Sequence, residues 1–470
     1  MIAGMIKPTQ AVVIGASMAG LLAACALSDT FDRVVLVERD LLPDYPSDRR
    51  GVPQGKHLHG LLAGGLVAMS KLFPGFEDDL LAAGAVRSDV QSDIHWWVDA
   101  HLIKPEPSGI IGFSCSRRLL EHTVRERVKA LPEVEIIDRC DVLGLVSTDD
   151  GGTISGVRIR SRADGSEAAE LPADLVIDAT GRTSRSSQWL TALGYQAAEV
   201  TRIPVDITYV TREYRREPGQ LDGRAGTSTG SYPDLPIGAF LLALEDDTFM
   251  LTIGGIYGET PPMDDFRLAE FAGRLPTPDF ADFLRTATRI SDPVRAHYPA
   301  SVRKHYEKLT DFPAGYLVVG DALCSFNPIF AQGMSVAAAE AILLRDLFLA
   351  GSTNPAAEFF AAAAEIIDVP WLTAVNADLR YPQAKVAQTA DDKALDEYLR
   401  LVYRAASVDQ TVATAIVRVI NLLDTPALLL EPTMLARVME FARVSSRPTH
   451  PDWRNGTHRP ASHVSGATRC

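Results

Sequence analysis

Across 470 residues the chain is sparing with cysteine and aromatics, and it has neither a long apolar run nor an excess of positive charge. The five cysteines, Cys25, Cys115, Cys140, Cys324 and Cys470, are odd in number and scattered, with no Cys-x-x-Cys pair. That pattern excludes a disulfide framework and fits free thiols in a reducing compartment. No stretch approaches the roughly 18 apolar residues of a membrane-spanning helix. The most apolar late segment, 416–430, is interrupted by Arg418, Asn421, Asp424 and Pro426, so no transmembrane segment is expected. The first residues lack the charged start and apolar stretch of a signal peptide, which makes a cytoplasmic location the expectation. A net charge of −14 would repel phosphates, so no nucleic-acid partner is expected. Internal repeats are missing. His57 and His59 would share one face of an extended segment, but no third ligand follows at useful spacing, and no metal site is expected.

The chain is long enough for two or three packed domains. Its first pattern is a βαβ unit: a buried strand at Ala11–Ile14, a small-residue helix over 17–27 and a second strand at Arg33–Val37. Between strand and helix runs Gly15-Ala16-Ser17-Met18-Ala19-Gly20, and the second strand ends at Glu38 and Arg39. Gly15 permits the sharp turn, and Gly20 lets helix and strand approach closely. Backbone N–H groups at the helix start face a pyrophosphate, and Glu38 is placed to accept from a ribose hydroxyl. Ser17 stands where a middle glycine is usual, and its hydroxyl can bond a phosphate. The acid disfavours NADP as resident ligand and leaves FAD and NAD both open.

Two later motifs narrow the choice to FAD. Asp178-Ala-Thr-Gly181 follows the buried strand 175–177. Gly320-Asp321-Ala322 follows the strand 316–319 and runs through Pro328 to Gln332-Gly333-Met334 at the start of a long helix. Asp321 at a strand end can hold a ribityl hydroxyl, and the helix start near Gly333 and Met334 offers N–H groups to charge developing on a flavin ring. Prolines 43, 46 and 53 prevent regular helix over 40–59. From about 200 to 302 the pattern changes to longer strands, with a hairpin turn at Glu245–Thr248. Residues 354 to about 445 read as helical, and the Pro-, His-, Gly- and Ser-rich tail from 447 as disordered. The expected fold is therefore α/β. It has a Rossmann-like FAD-binding domain (1–199 with 303–353), a mostly antiparallel β substrate domain (200–302) and a C-terminal helical region (354–446). Trp96 and Trp97 point to opposite sides of a strand, with core packing the expected role.

On Gly320, Asp321, Ala322, Pro328 and Gly333 the chain resembles the flavoprotein monooxygenases of the para-hydroxybenzoate hydroxylase fold. The resemblance extends to Asp178–Gly181 and to Arg117, where the family places an arginine near the ribityl-phosphate chain; adjacent Arg118 leaves the register open. It also implies a backbone contact to adenine at Val142. Arg49-Arg-Gly-Val-Pro-Gln-Gly-Lys-His-Leu-His59, Cys324–Pro328, Pro370-Trp371 and Asp378–Pro382 are similar to actinobacterial flavin monooxygenases that include polyene epoxidases of polyether pathways. There Arg50 is the candidate to reach the cofactor, and Ala331 replaces a usual glycine. The resemblance implies an FAD-dependent monooxygenase that acts through a flavin C4a-hydroperoxide on an apolar small molecule and O₂. NAD(P)H or a partner flavin reductase would supply electrons. No catalytic side chain is identified, which suits alkene epoxidation, a reaction without need of a protein base. The alternatives are a flavin-dependent reductase of isoprenoid double bonds and a non-catalytic flavin- or ligand-binding accessory protein. A halogenase is disfavoured because no Trp-x-Trp-x-Ile-Pro element occurs.

Overall fold

The computed structural model describes residues 9–163, 167–384 and 389–445; the tail from 447 lies outside them. The strands read as buried form one parallel sheet. Its order is Tyr316–Val318, Leu175–Asp178, Gln10–Ile14, Arg33–Val37, Val134–Ile137. Val12, Val13, Val34, Val35 and Leu36 are all fully buried, so both sheet faces must be covered. Three helices, Met18–Ser28, Arg117–Lys129 and Gly333–Leu349, and an antiparallel sheet of Cys140–Ser147, Ile154–Ser161 and Ala169–Pro172 supply that cover. The helix Met18–Ser28 is built almost wholly of small and apolar residues and is buried on nearly every side. Ser116 caps the helix Arg117–Lys129, its Oγ accepting from the Leu119 N–H at 3.2 Å.

A second sheet has eight strands in the order Cys324–Ser325, Val294–His305, Glu199–Arg215, Thr248–Ile256, Ile237–Leu244, Gly226–Thr229, Ile94–Val98, His101–Leu102. It is antiparallel except where Gly226–Thr229 runs parallel to Ile94–Val98. The sheet thus draws strands from outside 200–302. The expected hairpin is present. Asp246 and Asp247 take φ of +56° and +49°, the left-handed pair that a two-residue turn between twisted strands requires and that Asp tolerates.

The two faces of this sheet differ. Leu241, Ala243, Phe249, Leu251 and Ile253 are buried under the helices Asp265–Ala272 and Asp279–Thr286. On the opposite face Tyr209, Phe240, Leu242 and Thr252 are only half-buried. Past Pro355–Leu379 the chain continues helical as Ala390–Ala406, Gln410–Ile420 and Pro432–Ser445. Val402, Val412 and Ile416 of these helices share a core with Trp96 and Val98, so Trp96 packs as expected. Asn421 binds them to the start of the helix Ala63–Leu72, its carbonyl and amide oxygens accepting from Gly64 N and Ala63 N. Among the described residues no helix is long and apolar enough to cross a membrane.

Candidate cofactor site

The strand Gln10–Ile14 ends at Gly15, which takes φ +99°. A Cβ there would lie 2.9 Å from the Ala179 carbonyl oxygen, and one on Gly20 would lie 1.7 Å from the Gly15 carbonyl oxygen. No side chain fits at either position. The helix therefore starts hard against the strand, with its first-turn N–H groups unpaired by construction. Met18 is buried in the core and Ala19 half-buried, so both can offer only backbone at this turn.

Around the turn lies a buried charge cluster. Glu38 accepts from the N–H of Ala16 at 2.8 Å and of Asp40 at 2.9 Å. Arg49 donates to the Ala16 carbonyl at 3.0 Å and to Glu121 at 2.8 Å, and sits 3.2 Å from Glu38. Arg117 donates to Ser17 Oγ at 3.1 Å and pairs with Glu121, one helical turn on, at 2.9 Å. Arg125 completes the group 3.7 Å from Glu121. All five charged side chains are buried. Burial alone would raise the Glu121 carboxyl, but Arg117 and Arg49 overcome it and hold the group below the ordinary value. For Arg49 burial works downward, and Glu121 with Glu38 outweighs it, so its affinity for the proton rises. Three arginines against two glutamates leave one surplus positive charge. Nη1 of Arg49 and of Arg117 are buried without a well-aligned acceptor, although each lies at ion-pair range of a carboxylate. Surplus charge and unspent donors beside a helix N-terminus suit a diphosphate.

The second motif has a supporting role. Asp178, fully buried, accepts from Thr180 N at 2.9 Å and Ser184 Oγ at 2.7 Å, and also from Ser186. It thereby shapes the turn in which Gly181 takes φ +67°, its Cβ position 3.8 Å from Asp321 Cβ. Gly320 N donates to Glu340 at 2.7 Å, and a Cβ on Gly320 would stand 2.6 Å from Ala19 Cβ. The first and third motifs are thus in contact. Asp321 keeps an exposed side chain although protein surrounds it densely. Burial pushes its carboxyl up to about 6, against the pull of Arg182 and Arg117. Gly333, opening its helix, leaves space for a Cβ only 3.6 Å from Asp321 Oδ1. Just before it, Gln332 Oε1 is buried without a partner, an acceptor fit for a flavin edge, whereas the equally unpartnered Ser335 Oγ faces Gly65 of the helix Ala63–Leu72. Pro328 is exposed and Met334 half-buried on the same stretch.

Gly15, Ala16, Ser17, Gly20, Glu38 and Arg117 are therefore brought together, and Gly181, Asp321 and Gly333 adjoin them. Val142 is half-buried in a strand whose first residue, Cys140, bonds the Glu38 carbonyl at 2.9 Å. Arg118 turns away to Glu213 at 2.8 Å. Arg39 and Arg50 are exposed; the arginine that turns inward from the loop is Arg49, because only its side chain faces Glu38 and Glu121. Arg49 and Glu121 were not anticipated, although Arg117, Glu121 and Arg125 form a visible i, i+4 ladder.

His57 and His59 do not form a strand pair. His57 follows the short 3-10 turn Pro53–Lys56, bonds Thr211 Oγ1 at 2.9 Å and packs edge-on to Tyr209. His59 Nδ1 donates to the His57 carbonyl at 2.9 Å, which leaves Nε2 of the neutral ring as an acceptor. Burial pulls both rings down to about 4. A Cβ on the next residue, Gly60, would be 3.6 Å from Ala331 Cβ. The loop therefore joins the open sheet face to the turn before Gly333. Among the described residues no group of three or more metal-binding side chains occurs.

No family model matches the chain. It is 33% identical over 389 residues to Protein Rv3254 of Mycobacterium tuberculosis, covering 80% of this chain and 81% of that protein. Among solved structures it is similar to the flavin-dependent brominase Bmp2, at 15% identity and a TM-score of 0.63, covering 93% of this chain and all of that one. It is similar also to the p-nitrophenol 4-monooxygenase PnpA of Pseudomonas putida, at 18% identity and a TM-score of 0.59, covering 90% of this chain and all of that one. At such identities the likeness concerns the fold, an α/β arrangement with a C-terminal helical region shared by flavin-dependent monooxygenases and halogenases. The chain belongs to the family of Mycobacterium tuberculosis Protein Rv3254.

Proposed function

We propose that this protein is an FAD-dependent monooxygenase that places one oxygen atom of O₂ on an apolar small molecule, with alkene epoxidation the reaction its site suits best. The observation that carries this reading is the meeting of a polar surface with an apolar one. On one side stand the exposed Asp321 and the helix start at Gly333; Arg182, whose charge acts on Asp321, lies over Tyr298 of the sheet, and the half-open face of that sheet continues through Tyr209, Phe240 and Thr252. Gly15 to Gly20 with Arg49 and Arg117 would hold the diphosphate, Glu38 and Val142 the adenosine end, and Asp321 with Gly181 the ribityl chain. Gln332, Gly333 and Met334 would meet the ring. Bound FAD, when reduced, supplies the electrons and the reaction with O₂.

The chain's own side chains bind, orient and exclude water. Both histidines are neutral near pH 7, His57 fixed against Thr211 and His59 against the His57 carbonyl. With values of about 4 both are weak bases, poorly matched to taking a phenol's proton. An oxidation that needs no protein acid or base fits such a site better than phenol hydroxylation. In this reading the FAD-binding part is 1–199 with 303–353, the substrate part is 200–302, and 354–446 is a C-terminal helical region. Electrons come from NAD(P)H or a partner flavin reductase. The test is to give the reduced protein O₂ with panels of alkenes and phenols, measuring oxygenated product and hydrogen peroxide together. Product carrying one added oxygen supports the reading; stoichiometric peroxide with no oxygenated product from any compound contradicts it.

A further inference from the structure

One cation beside Asp321 forms no ion pair with any described residue. Arg182 directly follows Gly181, is exposed, and has neither a hydrogen bond nor an ion pair with any described residue. It is nevertheless held in place. Its guanidinium carbon lies 4.4 Å from the centroid of the Tyr298 ring, and Tyr298 is 5% exposed, with its hydroxyl donating to Ser325 Oγ at 3.3 Å. Three elements converge on it, since its charge acts on Asp321, on Tyr298 and on Tyr209. Arg182 therefore stands where the cofactor wall meets the open sheet face.

A guanidinium stacked on a ring spends its face and keeps its edge, with a planar fork of N–H donors free. That edge matches a carboxylate in two parallel hydrogen bonds. Beside it, Tyr209 offers half-buried apolar surface to a hydrocarbon body, and the same sheet face continues two strands on to Phe240. We propose that Arg182 is the anion anchor of the substrate site, so that the substrate is amphipathic, its apolar part on the sheet face and its carboxylate on Arg182. The proposal rests on the oxygenase reading for where the substrate lies, but its test needs no turnover.

The experiment is calorimetric titration of the purified protein with octanoate and with octanamide, for wild type, Arg182→Gln and Arg182→Lys, with FAD content read by absorbance on the same samples. Octanoate is expected to bind wild type at least about tenfold more tightly than octanamide, as hydrogen bonds to a charged group imply. Arg182→Gln should shrink that ratio below about threefold at unchanged FAD content, and Arg182→Lys should keep part of it. Equal affinities in wild type, no binding of either probe, or a preference that survives Arg182→Gln would overturn the proposal. So would loss of FAD from Arg182→Gln, which would assign the residue to the cofactor. An Arg182-dependent preference in protein that takes up no FAD would leave the anchor standing and sink the flavin reading instead.

Discussion

Arg49 donates to the carbonyl oxygen of Ala16 at 3.0 Å, 33 residues back along the chain, while pairing with Glu38 and Glu121. One buried cation thus closes the glycine turn and neutralises the acid expected to read a ribose. Arg49→Ala leaves Glu38 buried with no ion-pair partner among the described residues, while Glu121 keeps Arg117 and Arg125, and should cost about 3 kcal/mol. Arg50→Ala, next door but exposed, should stay within about 0.5 kcal/mol of wild type. Urea denaturation of the two variants checks the contrast, and similar midpoints would contradict it.

Asp321→Ala should weaken FAD retention about 10- to 100-fold, the loss of a hydrogen bond to a charged acceptor. Burial holds this carboxyl near 6, so wild type should retain FAD less well at pH 5 than at pH 7, and Asp321→Asn should lose that dependence. For folding the sign is opposite. Because the folded value lies above the ordinary 3.8, ionising Asp321 costs the FAD-free protein stability as pH rises from about 4 to 6. Equilibrium dialysis at the two pH values tests the binding claim; a variant that retains FAD like wild type refutes the role.

Glu340 gives a second pH signature. Burial pushes its carboxyl up to about 8, with the nearby Asp321 charge adding to the rise, although the Gly320 N–H works against it. Below the ordinary 4.5 both folded and unfolded chains carry the proton and nothing is lost. Between there and about 8 the unfolded chain alone releases it, so stability falls across that window. Glu340→Gln keeps an acceptor for Gly320 and cannot ionise. Its stability relative to wild type should rise by a few kcal/mol between pH 4.5 and pH 8, measured as denaturation midpoints. Parallel pH curves would disprove the assignment.

Ala331 carries φ +52° in the turn before the helix Gly333–Leu349, a conformation that costs a non-glycine residue about 1–2 kcal/mol. Ala331→Gly relieves this while adding about 0.4–1 kcal/mol of unfolded-chain entropy, so it should be neutral or mildly stabilising. Ala331→Val, β-branched at the same angle, should lower the melting temperature. A destabilised glycine variant would show that the methyl group itself is needed.

The sequence made the glycine turn legible because Gly15 and Gly20 answer to local geometry, and the parallel sheet because its strands are short runs rich in Val, Ile and Leu. The Asp246–Asp247 turn was legible for the same reason. What stayed hidden depends on chain path. Arg49 and Arg50 are equivalent in sequence, and the bend of a proline-broken loop decides which one turns in. The strands Ile94–Val98 and His101–Leu102 join a sheet more than 100 residues away, and no local pattern encodes that pairing. Nor does an arginine after Gly181 announce that it will stand unpaired on Tyr298.

The most direct measurement is the absorbance spectrum of the purified protein before and after incubation with FAD and removal of the excess. About one tightly bound FAD per chain is expected, with a perturbed visible spectrum and retention that falls in Asp321→Ala. A folded protein that holds no flavin even after added FAD would contradict it.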